Sequence, residues 1–240
     1  MDTLTAAFAA AARLVVTLDP KLAEIVLLSL QVSLTAVFIA GFIGLPLGAA
    51  VALFGFPGRR GVTILLNALM GLPPVVVGLV VYLLLSRSGP LGVLGLLFTP
   101  TAMVIAQVVL VAPIVAALAR QVIEDLWLEY AEQLRSLGTT PGGAIWTLLW
   151  DGRFSLVTAM LAGFGRASAE VGAVMIVGGN IDHVTRVMTT AIALETSKGD
   201  LPLALGLGMV LLAIVFVIMV VAQVLQQSAL RRFGGNRQAE

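Results

Sequence analysis

Long uncharged runs of apolar residues dominate this 240-residue chain. Four of these runs reach the length of about 20 mostly apolar residues that a helix needs to cross a bilayer. A fifth run is interrupted only by Arg166 and Glu170. Because only helices and closed barrels satisfy the backbone in lipid, this pattern predicts an all-α protein with five transmembrane helices. The predicted spans are residues 25–54, 61–86, 99–119, 154–178 and 201–230.

The two ends of the chain are predicted to lie outside the membrane-spanning domain, which covers residues 21–230. Residues 1–20 are the predicted N-terminal interfacial segment, in which residues 1–18 carry a weak apolar stripe at helical spacing, typical of a helix lying in the membrane interface. Asp19 and Pro20 follow as a predicted N-cap and first residue of the first span. Residues 231–240 form a tail. With the N-terminus outside, the inner segments hold eight arginines and the outer segments five basic residues, so the positive-inside rule places the C-terminus in the cytoplasm.

The composition narrows the classes of function. Hydrophobic residues make up 59% of the chain and charged residues 11%, with a mean hydropathy of +1.05, whereas soluble proteins carry about 25% charged residues. A soluble enzyme is therefore excluded. The chain has no cysteine and one histidine, His183, so it lacks the side chains for a thiolate site or a poly-histidine metal site. The net charge of +1 gives no basic face for nucleic acid.

The predicted inner segment from 120 to 153 differs from the rest because it holds five acids and all three tryptophans. Residues 121–137 are predicted to continue as a charged helix, and Gly138 to supply a turn with positive φ. Thr140 and Pro141 then predict the start of a short helix that ends near Trp150. Trp146 and Trp150 share one face of it. They belong either to an interfacial aromatic belt or to a surface for a cytoplasmic partner.

Residues 132–141, with glycine six positions after glutamate, resemble the coupling loop of ABC importer permeases. The match departs at Gln133 and Leu134, where that family has alanines. Residues 71–78, 86–92, 165–173 and 178–181 are similar to the molybdate, sulfate and tungstate branch of the family. Residues 185–196 resemble the tungstate permeases most.

This resemblance implies a type I ABC importer transmembrane domain in a bacterial inner membrane, with a coupling loop at residues 129–150. It implies a homodimer, two cytoplasmic ATPase subunits and an extracytoplasmic oxyanion-binding protein, which delivers tungstate or, alternatively, molybdate or sulfate. ATP and magnesium would be bound by the ATPase, since the chain has no GxxxxGK[ST] motif. The chain itself is expected to be no enzyme and to hold no cofactor or metal. The residues expected to couple to the ATPase are Glu132, Gly138, Thr140, Pro141, Trp146 and Trp150.

Two features inside the spans are candidates for the translocation path or its gate. Arg166 and Glu170 lie four residues apart on one helix face, and ionisable residues at this depth face a partner or a watery cavity. They form either a structural or gating ion pair, or a site where Arg166 attracts the oxyanion. The second candidate is the segment with Gly71, Pro73 and Pro74, where two prolines lie between glycines.

The outer stretch from 178 to 200 is too polar to span the membrane, but its apolar positions recur at helical spacing. Val184, Val187, Met188, Ile192 and Leu194 predict a short surface helix. Asn180, Arg186 and Thr189 are candidates for docking the binding protein, and His183 is predicted to be a surface residue. A stand-alone secondary anion transporter is the rival hypothesis. The chain shows no inverted repeat, which such transporters often have.

Overall fold

The computed structural model describes residues 20–234, and within this range every element of regular secondary structure is a helix. Residues 1–19 and 235–240, which include the predicted interfacial segment, the Asp19 cap and most of the predicted tail, lie outside the described residues. The α-helices are α1 (Pro20–Leu53), α2 (Arg59–Leu69), α3 (Pro74–Leu85), α4 (Pro100–Ser136), α5 (Pro141–Asp151), α6 (Arg153–Ser168), α7 (Gly172–Gly178), α8 (Met188–Lys198) and α9 (Leu201–Gly234). A short 3-10 helix covers Gly92–Leu94.

The predicted spans correspond to three long helices and two bent pairs. Helices α1, α4 and α9 are each long and apolar enough to cross a membrane. Helices α2 and α3 pass the same test together, but the chain bends by 101° between them, and α6 and α7 are bent by 60°. The prediction of five spans is therefore confirmed by length and composition. The spans predicted at residues 61–86 and 154–178 are each broken into two helices.

The break between α2 and α3 follows from local chemistry at residues 70–73. Pro73 and Pro74 lack backbone N–H groups, and a residue before proline is disfavoured in helical geometry. Pro73 takes an extended conformation and Pro74 becomes the first residue of α3. Pro46 and Pro113, by contrast, lie within the continuous helices α1 and α4.

The chain divides into two compact units. The first contains Met1–Ala36, Pro73–Val108 and Arg166–Val217, and the second contains Val37–Leu72, Val109–Gly165 and Ile218–Glu240. A cluster of buried residues in the first unit joins α1, α8 and α9: Leu22, Ile25, Met188, Ala191 and Leu207. The main cluster of the second unit joins α1, α4 and α5: Ala49, Ala52, Leu53, Ile123, Ala144 and Leu148.

Small residues allow helices to approach closely inside each unit. In the second unit, a Cβ atom added to Gly44 of α1 would lie 3.0 Å from the carbonyl oxygen of Ala112 in α4. In the first unit, a Cβ atom on Gly78 of α3 would lie 2.7 Å from Cα of Ala173 in α7. Such contacts are typical of membrane helices, where association depends on close van der Waals packing.

Candidate functional site

The predicted turn at Gly138 is confirmed and ends α4 with a defined hydrogen-bond pattern. Gly138 has φ of +73°, which a residue without a Cβ adopts at little cost. Its N–H donates to the carbonyl of Arg135 (2.9 Å), and the N–H of Thr139 donates to the carbonyl of Leu134 (2.9 Å). These bonds satisfy carbonyls that the helix end leaves unpaired and turn the chain towards α5.

Helix α5 begins where the sequence predicts and is anchored on one face. The hydroxyl of Thr140 accepts a hydrogen bond from the N–H of Gly143 (3.3 Å), and Pro141 is the first helical residue. Ala144 and Leu148 are buried and lie four residues apart, which puts them on one side of the helix. They pack in the cluster with α1 and α4. The position of α5 is therefore fixed by both helices.

The two tryptophans of α5 lie on a different side of the helix from this buried face. Trp146 is 73% exposed and Trp150 is 71% exposed. Both line an apolar cleft together with Phe38 and Phe42 of α1. The prediction that they share one face is confirmed. Glu132, the glutamate of the coupling-loop resemblance, lies exposed near the end of α4.

Sequence reasoning missed a charged network at the end of α1. Arg59 donates through Nε to the carbonyl of Val51 (2.8 Å) and through Nη2 to the carbonyl of Ala52 (2.9 Å). It also forms an ion pair with Glu124 of α4 (2.8 Å), which Arg120 joins as well. A basic side chain near a helix C-terminus is a known capping signal, so the position of Arg59 shortly after α1 was the signal in the sequence for this cap.

Arg166 and Glu170 form the ion pair that their spacing predicts, at 2.5 Å between Nη1 and Oε2. The Glu170 side chain is 2% exposed and that of Arg166 is 27% exposed. The other carboxylate oxygen of Glu170 accepts the N–H of Ala173 (3.0 Å), in the first turn of α7. The carboxylate therefore holds the break between α6 and α7 from both sides.

The start of α3 and the start of α7 lie side by side within the first unit. A Cβ atom on Gly172, at the start of α7, would be 2.8 Å from Cγ2 of Val75, which directly follows Pro74. The same Cβ position is 3.8 Å from Oε1 of Glu170. The structure thus brings together Pro73 and Pro74 with the ion-pair segment. Gly71 belongs to the other unit, where its N–H donates to the carbonyl of Ala68.

A second polar residue near the α6–α7 break is buried Gln107 of α4, which sequence reasoning also missed. Its Nε2 donates to the carbonyl of Ala167 (3.1 Å), close to the end of α6. Its Oε1 is buried without a hydrogen-bond partner. A single glutamine in an apolar run gives no signal by itself, because its neighbours in space come from another helix.

The three candidate docking residues are engaged within the chain. Asn180 donates to the carbonyl of Thr190 (3.4 Å), and Arg186 pairs with Asp182 (2.7 Å). Thr189 donates through its hydroxyl to the carbonyl of Glu170 (2.8 Å). All three residues are partly buried, and Thr189 links the outer helix to the ion-pair segment.

The predicted surface helix exists as α8, but it begins at Met188. Val184 lies before it and is 44% exposed, so including Val184 in its apolar face was wrong. The turn at 182–185 has its own geometry, with His183 at φ +58°. His183 is exposed, as predicted, and its Nδ1 lies 2.8 Å from a carboxylate oxygen of Glu24 in α1.

A cavity of about 280 Å³ lies at this side of the first unit. Its charged lining residues are of both signs, three basic (Lys21, Arg186 and Lys198) and four acidic (Glu24, Asp182, Glu195 and Asp200), with His183 beside them. Among residues 20–234, no group of three or more histidine and carboxylate side chains is arranged to hold a metal ion. The balance of charge favours neither an anion nor a cation site here.

The helical spans, with a turn and a short anchored helix between the third and the fourth, are the architecture of a multi-pass membrane protein. Residues 44–234 match the family described as "Binding-protein-dependent transport system inner membrane component". The chain belongs to this family, the permeases of ABC transporters.

Particular relatives narrow the branch within the family. The tungstate uptake system permease protein TupB of Peptoclostridium acidaminophilum is 42% identical over 227 residues, which cover 95% of this chain and all of the relative. A probable anion ABC transporter permease protein of Haloferax volcanii is 41% identical over 81% of this chain and 86% of its own length. The sulfate transport system permease protein CysT of Escherichia coli is more distant, with 28% identity over 86% of this chain and 78% of the relative.

Proposed function

We propose that this chain is the membrane-spanning subunit of an ATP-driven importer for a tetrahedral oxyanion, and that the oxyanion is tungstate. The observation that carries the substrate is the 42% identity to a tungstate uptake permease over that relative's whole length. Sulfate permeases share 26–30% identity. Sulfate and molybdate are therefore the alternatives that a substrate test must include.

Tungstate import requires an energy source because the substrate is a dianion and the bacterial interior is electrically negative. Each charge moved against the field costs about 2.3 kcal/mol per 100 mV, so a dianion costs about twice that amount. A passive channel would let the anion leave. The chain has no GxxxxGK[ST] motif, so a separate ATPase subunit binds ATP and magnesium and supplies the energy.

The domain between residues 21 and 230 pairs with a second copy, and each copy binds one ATPase subunit at its coupling loop, residues 129–150. Glu132, Gly138, Thr140 and Pro141 form the contact region. The Gly138 turn and the Thr140 cap hold α5 at a fixed angle to α4, while Ala144 and Leu148 anchor it. A displacement of α5 by the ATPase is thereby passed to α1 and α4.

Trp146 and Trp150 contribute to coupling by holding α5 at the membrane interface. They share the apolar cleft with Phe38 and Phe42 of a membrane-spanning helix. Tryptophan is enriched at the bilayer interface, where one part of the ring system is apolar and the indole N–H meets water. The two rings therefore fix how far α5 can move relative to the bilayer.

The gate is formed by the adjacent breaks in the second and fourth spans. Pro73 and Pro74 set the start of α3, while the ion pair of Arg166 and Glu170 sets the start of α7. Gly71 lies two residues beyond the end of α2, in the break itself. Alternating access then changes the angle at these breaks, as rigid segments move about short hinges. The ion pair acts by maintaining the bend and not by binding the oxyanion tightly.

The extracytoplasmic binding protein contacts the segment around Asn180, Arg186 and Thr189. Thr189 is the link to the gate, because its hydroxyl donates to the backbone carbonyl of Glu170. A movement of this segment on docking is therefore passed to the ion-pair segment through Thr189. In this proposal the chain lies in an inner membrane with its N-terminus outside and its C-terminus in the cytoplasm, the orientation that the positive-inside rule favours.

The test is affinity purification of the tagged chain from its native membrane, with identification of the co-purifying subunits. The proposal expects a P-loop ATPase in equal amount and an oxyanion-binding protein whose affinity for tungstate exceeds that for molybdate and sulfate. A chain that is isolated alone and moves anions in liposomes without ATP would instead support the secondary transporter.

A further inference from the structure

The apolar cleft that Trp146 and Trp150 share with α1 lies within the second unit, and the proposed transport function leaves its occupant unassigned. Its volume is about 480 Å³, and α1, α5 and α6 form its walls. Eleven of its lining residues are uncharged, and the twelfth is Arg153 at the start of α6. The cleft thus has one charged end on an otherwise apolar surface.

Aromatic rings form two of the walls. Phe38 and Phe42 lie one turn apart on α1, and Trp146 and Trp150 lie one turn apart on α5. A Cβ atom on Gly41, between the two phenylalanines in sequence, would collide with the side chain of Met160 of α6. Glycine at this position therefore lets α6 pack closely against α1 beside the cleft.

The surroundings identify the chemistry of such a ligand. Helix α1 is long and apolar enough to cross a membrane, and α6 passes the same test together with α7. The wall from Phe38 to Pro46 rises by about 12 Å and the wall from Arg153 to Met160 by about 10 Å, at 1.5 Å per residue. Lipid acyl chains surround membrane-spanning helices, and an acyl chain is the occupant that the length and polarity of this cleft favour.

Arg153 gives this occupant a charge preference. Its guanidinium carbon lies 4.8 Å from the ring centre of Trp150 and 4.4 Å from that of Phe154, and Nη1 donates to the carbonyl of Trp150 (2.6 Å). These contacts hold a planar cation at the end of the cleft. Guanidinium groups match phosphate oxygens in charge and in geometry.

We propose that the cleft binds one anionic phospholipid, with an acyl chain between α1 and α6 and the headgroup phosphate at Arg153. The lipid then contacts Trp146 and Trp150 and fills the space beside α5. Binding itself does not depend on the proposed transport function. Its consequence does rest on that function: a lipid beside α5 ties the coupling of ATPase and permease to the anionic lipid content of the membrane.

The test uses the full-length chain in nanodiscs of equal parts phosphatidylglycerol and phosphatidylcholine, with retained lipids identified by native mass spectrometry. One phosphatidylglycerol per chain is expected, preferred about fivefold over phosphatidylcholine, as one basic residue near the membrane surface provides. Val157→Trp and Leu45→Trp fill the cleft from two walls and should remove this lipid. Val221→Trp, the same substitution at an exposed position of α9, should retain it. Arg153→Gln should keep a bound lipid and lose the preference.

Several results would overturn the proposal. They are the absence of retained lipid in the wild-type chain, retention in both filling variants at the level of Val221→Trp, or an unchanged preference in Arg153→Gln.

The alternative occupant of the cleft is a second copy of the chain. Because the chain has no cysteine, Val157→Cys introduces a single thiol, and an efficient disulfide between two copies would assign the cleft to the dimer interface. Tungstate transport is not measured in this test, so failure of the lipid site and failure of the transport function remain distinguishable.

Discussion

Replacement of Arg166 by alanine should destabilise the protein, because it leaves the carboxylate of Glu170 buried without its cation. The Glu170 side chain is 2% exposed, and breaking a buried ion pair by removing one partner costs about 3–5 kcal/mol. The carboxylate keeps the hydrogen bond from Ala173, and Arg166 is itself 27% exposed. The expected loss is therefore at the lower end, about 3 kcal/mol.

The double variant with Arg166→Gln and Glu170→Gln separates a structural role from a substrate-binding role. It removes both charges, while a glutamine oxygen at position 170 still accepts the N–H of Ala173, so stability should return to within about 1 kcal/mol of wild type. The assay is thermal unfolding in mild detergent, followed by tungstate uptake in proteoliposomes containing the partner subunits. If the pair maintains the bend, the double variant should transport.

Two outcomes would contradict this reasoning. Wild-type stability of Arg166→Ala would show that the ion pair contributes little to the α6–α7 break. A double variant that is as stable as wild type yet inactive would show that a charge in the path is needed, and Arg166 would then be assigned to the oxyanion.

Three further predictions follow from the geometry. Gly138→Pro should reduce tungstate uptake per ATP hydrolysed at least tenfold while the protein stays in the membrane, because proline excludes a φ of +73°. Gly138→Asn should remain close to wild type, since asparagine tolerates this conformation. Equal coupling in the two variants would refute the assignment. Arg59→Gln should lower stability by about 1 kcal/mol through loss of the cap on α1, measured by thermal unfolding, whereas the same change at its exposed neighbour Arg60 should have little effect. Gly78→Ala should lower the free energy of unfolding by about 2 kcal/mol through overpacking, since its Cβ would lie 2.7 Å from the backbone of α7. A Cβ on Gly71 would lie 3.6 Å from the nearest atom, so Gly71→Ala should leave stability unchanged in the same unfolding assay.

The helical architecture was predictable because lipid imposes a strong and local constraint on sequence. A run of apolar residues long enough to cross the bilayer has few alternatives to a helix. The Gly138 turn and the start of α5 at Pro141 were predictable for a similar reason. Positive φ, N-capping and proline at the first turn are each determined by one or two residues.

The breaks in the second and fourth spans were harder to predict, since hydropathy does not report backbone direction. Pro73 and Pro74 signalled the gate candidate, but the single prolines Pro46 and Pro113, which also lack an N–H group, lie in continuous helices. Neighbouring helices decide which freed carbonyls are satisfied. The sequence does not show those neighbours.

Long-range polar contacts were the least predictable part of the candidate sites. Arg59 and Glu124 are 65 residues apart in the chain and belong to different helices, and Gln107 reaches a carbonyl 60 residues away. Thr189 was a candidate for docking because it lies in the outer segment. Its contact with the carbonyl of Glu170 depends on the packing of α8, which residue spacing alone does not determine.

The most direct measurement of the central claim is radioactive tungstate uptake into proteoliposomes that contain this permease, its ATPase and its binding protein. Uptake should require ATP inside the liposomes, where the ATPase lies, and the binding protein outside them. Excess unlabelled tungstate should inhibit uptake more strongly than excess molybdate or sulfate. Uptake that continues without ATP, or that follows sulfate in preference to tungstate, would contradict the account.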